Sequence, residues 1–169
     1  EELGAELLRV ADQGQLTVNT GEAGTPSLIT VGRLVLKRES RFEPITEVSV
    51  GGETFFEDFD AEFVSDQSLT VQGLLRFNDG RMAGADTTFA NNGLEMGPVT
   101  LDERRLILPS GERGKIFSYD AVTGENGATI EVQSNAVFEL QRQSELKLGS
   151  GSAPRLVNDG TVTSTGADY

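Results

Sequence analysis

Residues Ala128 to Gly166 read ATIEVQSNAVFELQRQSELKLGSGSAPRLVNDGTVTSTG. Apolar residues fall at Ile130 and Val132, at Phe138 and Leu140, at Leu146 and Leu148, and again at Leu156. Within each pair the spacing is two, the period at which side chains of an extended strand return to one face. From one pair to the next the spacing is eight. A charged residue separates the members of each pair: Glu131, Glu139 and Lys147. The stretch therefore predicts short strands in tandem, each apolar on one face and polar on the other, joined by corners.

Such strands fold either as an antiparallel meander or as a parallel solenoid, and the outward charges discriminate. They are Lys115, Glu131, Glu139, Lys147 and Arg155. A meander makes consecutive strands neighbours, setting Glu131 beside Glu139 and Lys147 beside Arg155, and like charges across a strand pair are unfavourable. In a solenoid the neighbours lie one coil apart. With two such faces per coil, Lys115 meets Glu131, Glu131 meets Lys147 and Glu139 meets Arg155. With three faces, Lys115 meets Glu139 and Glu131 meets Arg155. Either coil pairs opposite charges. The same lattice runs back, less cleanly, through Leu106, Leu108, Ile116 and Val122.

Away from this lattice the strand period persists without the eight-residue step. Gln15 to Gly21 is a strand running into a glycine turn, and GEAGTPS is a loop. Leu28 to Arg38 is two strands, or one bent at Gly32, with Leu34 and Leu36 inward. Glu47 to Val50 is a short strand closed by Gly51-Gly52. SLTVQG, LLRFNDG, GLEMG, PVTL, RRLILPSG and GKIFSY continue the series. Asn78-Asp79-Gly80, Asn91-Asn92-Gly93, Asn126-Gly127 and Asn158-Asp159-Gly160 mark corners, because Asn and Gly tolerate positive φ. Glu53 to Val64 (ETFFEDFDAEFV) fits a helical turn through Phe55, Phe56, Phe59 and Phe63, and equally a strand with Phe59, Ala61 and Phe63 inward.

At the start, Leu3, Leu7 and Val10 fall at helical spacing behind Glu1 and Glu2, so residues 1–14 are expected to form a short helix, or a lid or cap. Residues 15–169 are expected to be a single β domain, most regular over 100–166. The fold class expected is all-β, a parallel β-solenoid. A β-sandwich or jelly roll is the alternative, since it also gives short strands with turns every eight to twelve residues.

The chain holds 27 acidic and 14 basic residues, a net charge of −13. That argues against nucleic acid and against an anionic membrane surface as partners, both of which need a basic face. No Cys and no His occur, which removes disulfides, thiol nucleophiles, Cys- or His-based zinc sites and histidine acid–base chemistry. No run of 18 apolar residues is present to insert into a membrane. The chain opens on Glu1 and not on Met, as it would after removal of a secretory signal or as a piece of a longer protein.

Glu57, Asp58, Asp60 and Glu62 make the densest acidic cluster. Carboxylate oxygens suit Ca²⁺, so these four are the candidate metal ligands. The spacing is not that of an EF-hand, whose glycine position is filled by Phe63 when counted from Asp58. A solvated acidic face explains the cluster equally. Gly149 to Ala153 (GSGSA) lacks the spacing of a nucleophile elbow and is a corner. No catalytic residues and no cofactor site are assigned. A carboxylate pair could still cleave a polysaccharide without histidine, though nothing marks which carboxylates would converge.

LVNDGTVTSTG (Leu156 to Gly166), with LKLGSGSAPRL before it and LTVNTG near the start, resembles the degenerate repeats of β-helical surface proteins. Autotransporter passengers and filamentous-haemagglutinin-type adhesins are examples. The resemblance covers about 40 residues at the C-terminal end and is compositional. It implies a right-handed parallel β-helix, secretion or display at the cell surface, and a role in adhesion or surface structure. The phenylalanine-rich segment and the uneven N-terminal half depart from it.

The function expected is a non-enzymatic extracellular structural or adhesive domain that self-associates into, or belongs to, a surface fibre. Its partners would be copies of itself or flanking coils of a longer chain. LVNDGTVTSTGADY supports this, because strand-like sequence without a proline invites strand addition at an edge. Two alternatives are a β-sandwich subunit of a filament or viral shell joined by strand exchange, and a module that binds or cleaves a surface glycan. The absence of Trp and the presence of only two Tyr disfavour the last, since sugars stack on such rings.

Overall fold

The computed structural model describes residues 3–10, 15–18, 28–57, 60–117, 119–149 and 151–165. Every element among them is a strand. The chain winds through β1 (Leu3–Val10) and β2 (Gln15–Val18), then β3 (Leu28–Leu36) and β4 (Arg41–Pro44). From there each coil carries three strands. They are β5 (Glu47–Val50), β6 (Thr54–Phe56) and β7 (Glu62–Val64); β8 (Leu69–Val71), β9 (Leu75–Phe77) and β10 (Gly80–Ala83); β11 (Thr87–Ala90), β12 (Leu94–Met96) and β13 (Val99–Asp102). β14 (Arg105–Leu108), β15 (Arg113–Ile116) and β16 (Ala121–Glu125) follow, then β17 (Thr129–Val132), β18 (Val137–Leu140) and β19 (Glu145–Leu148). β20 (Arg155–Asn158) and β21 (Thr161–Ser164) close the series.

Every strand pair is parallel, and each strand within the stack is bonded to those one coil before and one coil after. The molecule is a parallel β-solenoid of about six turns with three faces. The first face stacks β5, β8, β11, β14, β17 and β20. The second stacks β6, β9, β12, β15, β18 and β21, and the third runs from β2 to β19. β3 serves two faces at once, pairing with β5 through Leu28–Val31 and with β6 through Leu34–Leu36. A β-sandwich is thereby excluded, because antiparallel sheets would make consecutive strands neighbours.

Residues 3–10 correct the helix expectation. They form β1, parallel to β3, with Leu8 opposite Leu34 and Val10 opposite Leu36. Leu7, part of the supposed helical stripe, is 55% exposed, whereas Val10 is buried. An unfilled edge of β3 offers a row of backbone donors and acceptors, which outweighs a weak helical pattern of three residues.

Coil length explains the two halves of the sequence. On the first face Val48, Leu69, Thr88 and Leu106 are in register, steps of 21, 19 and 18 residues. On the second face Gly114, Phe138 and Val162 are in register at steps of 24. Three faces of eight residues make a coil of 24, so the lattice is clean only after residue 105.

The core is the stack of inward columns. Ile29, Val48, Leu69, Leu106 and Ile130 line the first face, and Phe42, Phe63, Met82 and Leu101 the third, nearly all without solvent contact. Phe42 meets Phe63 edge-on at 5.8 Å, and Phe56 meets Phe77 at 4.6 Å. Within the phenylalanine-rich segment the strand reading is the correct one for Ala61 and Phe63, both fully buried; Phe59 lies outside the described residues. The corner between the first and second faces is a column of glycines. Gly52 N donates to Gly32 O at 2.6 Å, and Gly73 N to Gly52 O at 3.1 Å. A Cβ on Gly52 would lie 2.6 Å from Gly32 O, and one on Gly73 2.4 Å from Gly52 O. The backbones approach so closely that no side chain fits.

Candidate functional site

In a solenoid, outward residues one coil apart are neighbours about 4.8 Å apart. On the second face Arg76, Glu95, Lys115 and Glu139 occupy successive rungs. Glu95 binds Arg76 at 3.0 Å and Lys115 at 2.8 Å. Phe55 stands one rung before Arg76, with the Arg33 guanidinium 4.6 Å and the Arg76 guanidinium 5.2 Å from its ring centre. On the third face Arg41 binds Glu43 and Glu62, and Arg81 lies between Glu62, at 3.7 Å, and Asp102. Asn126 donates to the second oxygen of Asp102 at 2.7 Å. Pairing with Glu43 and then Glu62 holds the Arg41 guanidinium above its ordinary value, against the opposing effect of partial burial.

The expected pairing of Lys115 with Glu139 across a coil is present in register. That of Glu131 with Arg155 is not. Glu131 stands opposite Val157 and Arg155 opposite Thr129. The step here is 26 residues, and the Gly149–Pro154 corner carries two more than the lattice allows. Glu131 instead binds Arg105 and accepts from Gln133 at 3.1 Å. The Arg105 hydrogen bond, then that of Gln133, holds its carboxyl below the usual range.

The acidic cluster is dispersed by the same architecture. Glu57 binds Lys37 at 2.5 Å. Glu62 is a rung of the third-face ladder, and Asp60 is exposed in a turn at φ 60°. Asp58 lies outside the described residues. Among the described residues no three acidic side chains gather where they could hold a metal ion. GSGSA is a corner, its Ser150 lying outside the described residues.

Sequence reasoning missed one buried charge. Arg104 is fully buried at the corner between the third and first faces. It donates to Ser65 O at 2.6 Å, Gln67 O at 2.9 Å, Thr87 O at 3.0 Å and Thr88 Oγ1 at 3.0 Å. The Phe63 ring lies 5.2 Å below it. Burial pushes the guanidinium down from its ordinary value to about 10, partly offset by Asp86 and Asp66. One side chain thus ties three successive coils. The available signal was the Arg104-Arg105 pair before an apolar strand, in which one residue must turn inward or bend into the corner.

Concave features also mark the surface of the described residues. A polar groove follows the corner between the first and second faces, bordered by Asn92, Glu95, Arg113, Lys115 and Glu139. An apolar notch lined by Leu101, Val122, Ile130, Leu146, Pro154 and Leu156 lies near the C-terminal end of the stack. Beside it Leu156 and Val157 are 41% and 39% exposed. No family model, no curated protein and no solved structure matches this chain.

Proposed function

We propose that the chain is a non-enzymatic structural and adhesive domain of a secreted or cell-surface protein, self-associating into or belonging to a surface fibre. The observation that carries this reading is the use made of the outward charges. Arg76, Glu95 and Lys115, and likewise Arg41, Glu62, Arg81 and Asp102, are engaged with the rungs above and below them. Side chains committed along the stack axis stiffen a rod, and the exposed Leu156 and Val157 beside the apolar notch are left as a surface with unmet contacts. The resemblance of residues 128–166 to adhesin repeats supports the surface location. Sedimentation velocity across a concentration series, with negative-stain microscopy, tests it. Species larger than the monomer, or elongated assemblies, are expected; a particle that stays monomeric up to its solubility limit and binds no surface refutes it.

A second reading rests on the polar groove. Glu95 and Glu139 sit two rungs apart with Lys115 between them, a lining able to hydrogen-bond a sugar chain. Specific hits on a glycan array, lost in Lys115→Ala, would favour a carbohydrate-binding module over the fibre reading.

A further inference from the structure

We propose that Asn92 is a site of spontaneous deamidation through a succinimide with Gly93, and that the fold protects the chain's other Asn-Gly pair, Asn126-Gly127, from the same reaction. The inference stands whether or not the chain self-associates or binds a glycan. Asn92 and Asn126 are the asparagines followed by glycine; Asn78 and Asn158 precede Asp, Asn91 precedes Asn and Asn135 precedes Ala. Ring closure brings the nitrogen of the next residue onto the asparagine Cγ, and a following glycine has no Cβ to obstruct that approach.

The two pairs share a sequence and differ in what holds them. Asn126-Gly127 lies in the corner between β16 and β17. The Asn126 Nδ2 donates to Asp102 at 2.7 Å, and the Gly127 N–H donates to Ser152 O at 2.8 Å. Leaving group and nucleophile are thus both tied, and Asn126 is held at φ 48° with Gly151 packed against its side-chain oxygen. Asn92-Gly93 lies in the corner between β11 and β12. That corner is pinned on either side of the reacting atoms, by Asn91 N to Val71 O at 2.9 Å, by Asn91 Nδ2 to Gln72 at 3.3 Å and by Leu75 N to Gly93 O at 3.1 Å. Among the described residues, neither the Asn92 side-chain amide nor the Gly93 N–H makes a hydrogen bond. Asn92 is exposed. Gly93 is buried by area but lines the polar groove, and base and water reach the corner from there.

The Gly93 nitrogen loses its proton to base and attacks Asn92 Cγ. The new N–Cγ bond closes the cyclic imide as the Cγ–Nδ2 bond breaks, and the amide leaves as ammonia, taking up the proton. Water then adds to one of the two imide carbonyls, and the ring opens to aspartate or isoaspartate at position 92. The net change is water gained and ammonia lost, with no change of oxidation state. One negative charge is added to the net −13. It falls on the rim of the groove bordered by Glu95, Arg113, Lys115 and Glu139, so that groove becomes more acidic as the protein ages.

The test is to hold the protein in mildly alkaline buffer, folded and in parallel unfolded in urea, and to sample both by peptide mapping with mass spectrometry. Cleavage after Arg and Lys puts Asn92 in the peptide from Met82 to Arg104 and Asn126 in that from Ile116 to Arg142. In the folded protein Asn92 is expected to convert about tenfold or more faster than Asn126, and in urea the two rates are expected to converge. Asn92→Gln, whose longer side chain closes a larger and slower ring, is expected to abolish the early acidic shift on ion exchange. Equal conversion at the two positions in the folded protein, or faster conversion at Asn126, would overturn the proposal. So would a folded protein in which neither converts while both do in urea, or an Asn92→Gln protein that turns acidic as fast as the parent.

Discussion

Replacing Arg104 by Met tests whether the buried guanidinium holds the coils together. Four hydrogen bonds from a charged donor, at about 1.5 kcal/mol each, contribute roughly 6 kcal/mol. Against this stands the burial that lowers the guanidinium from its ordinary value to about 10, a cost of about 3 kcal/mol at 1.36 kcal/mol per unit. The difference, about 3 kcal/mol, agrees with the roughly 3–5 kcal/mol lost when one partner of a buried charge network is removed. Arg104→Met keeps most of the volume but leaves Ser65 O, Gln67 O, Thr87 O and Thr88 Oγ1 without this donor. Arg104→Lys keeps the charge but cannot span three coils, so an intermediate loss is expected. The assay is urea denaturation followed by circular dichroism. Because Arg104 joins successive coils, its loss is also expected to broaden or split the transition, as stacked repeats do when their interfaces weaken. A Met variant within about 0.5 kcal/mol of the parent, unfolding in one equally sharp step, would refute the argument.

Other substitutions probe separate parts of the stack. Gly52→Ala places a Cβ 2.6 Å from Gly32 O, whereas the nearest atom to one on Gly51 is 3.9 Å away. Gly52→Ala should lose about 2 kcal/mol, or roughly 4–8 °C in melting temperature, with Gly51→Ala close to neutral; equal effects would contradict the close-packed column. Glu95→Lys would face Arg76 and Lys115 with a like charge, and a loss of about 1 kcal/mol is expected that shrinks in high salt. A salt-independent loss would show that packing, not charge, was disturbed. Glu131 has a depressed folded-state pKa, so its pairing stabilises the protein above the ordinary value and that contribution fades as pH falls through and below 4.5. In Glu131→Gln this part of the acid destabilisation should be missing; an unchanged stability–pH profile between parent and variant would discount the Arg105 pairing.

The residues that disclosed the fold did so because the coil there is a simple multiple of the strand repeat. Phe138 and Leu140, or Leu146 and Leu148, recur at eight, and three eights complete a turn. Before residue 105 the coils shorten by a few residues at their corners, and the pattern dissolves although the pairing persists. The register of Lys115 with Glu139 was legible because both sit within strands 24 residues apart on equal coils, while the longer Gly149–Pro154 corner moved Arg155 off Glu131. β1 was misread because Leu3, Leu7 and Val10 match a helix by spacing alone, and only the presence of an open β3 edge decides otherwise. Arg104 could not be found by alternation, since its side chain leaves the strand pattern to fill a corner.

The unequal corners have a practical consequence. Between β14 and β15 the chain makes a four-residue excursion through Pro109–Glu112, whereas three residues, Gln72 to Leu74, join β8 to β9, and the strands on either side keep their pairing. Length is thus absorbed at the vertices without disturbing the walls. A foreign peptide grafted at residues 110–111, where a Cβ on Gly111 would meet nothing within 4 Å, would be held at a defined height on the stack.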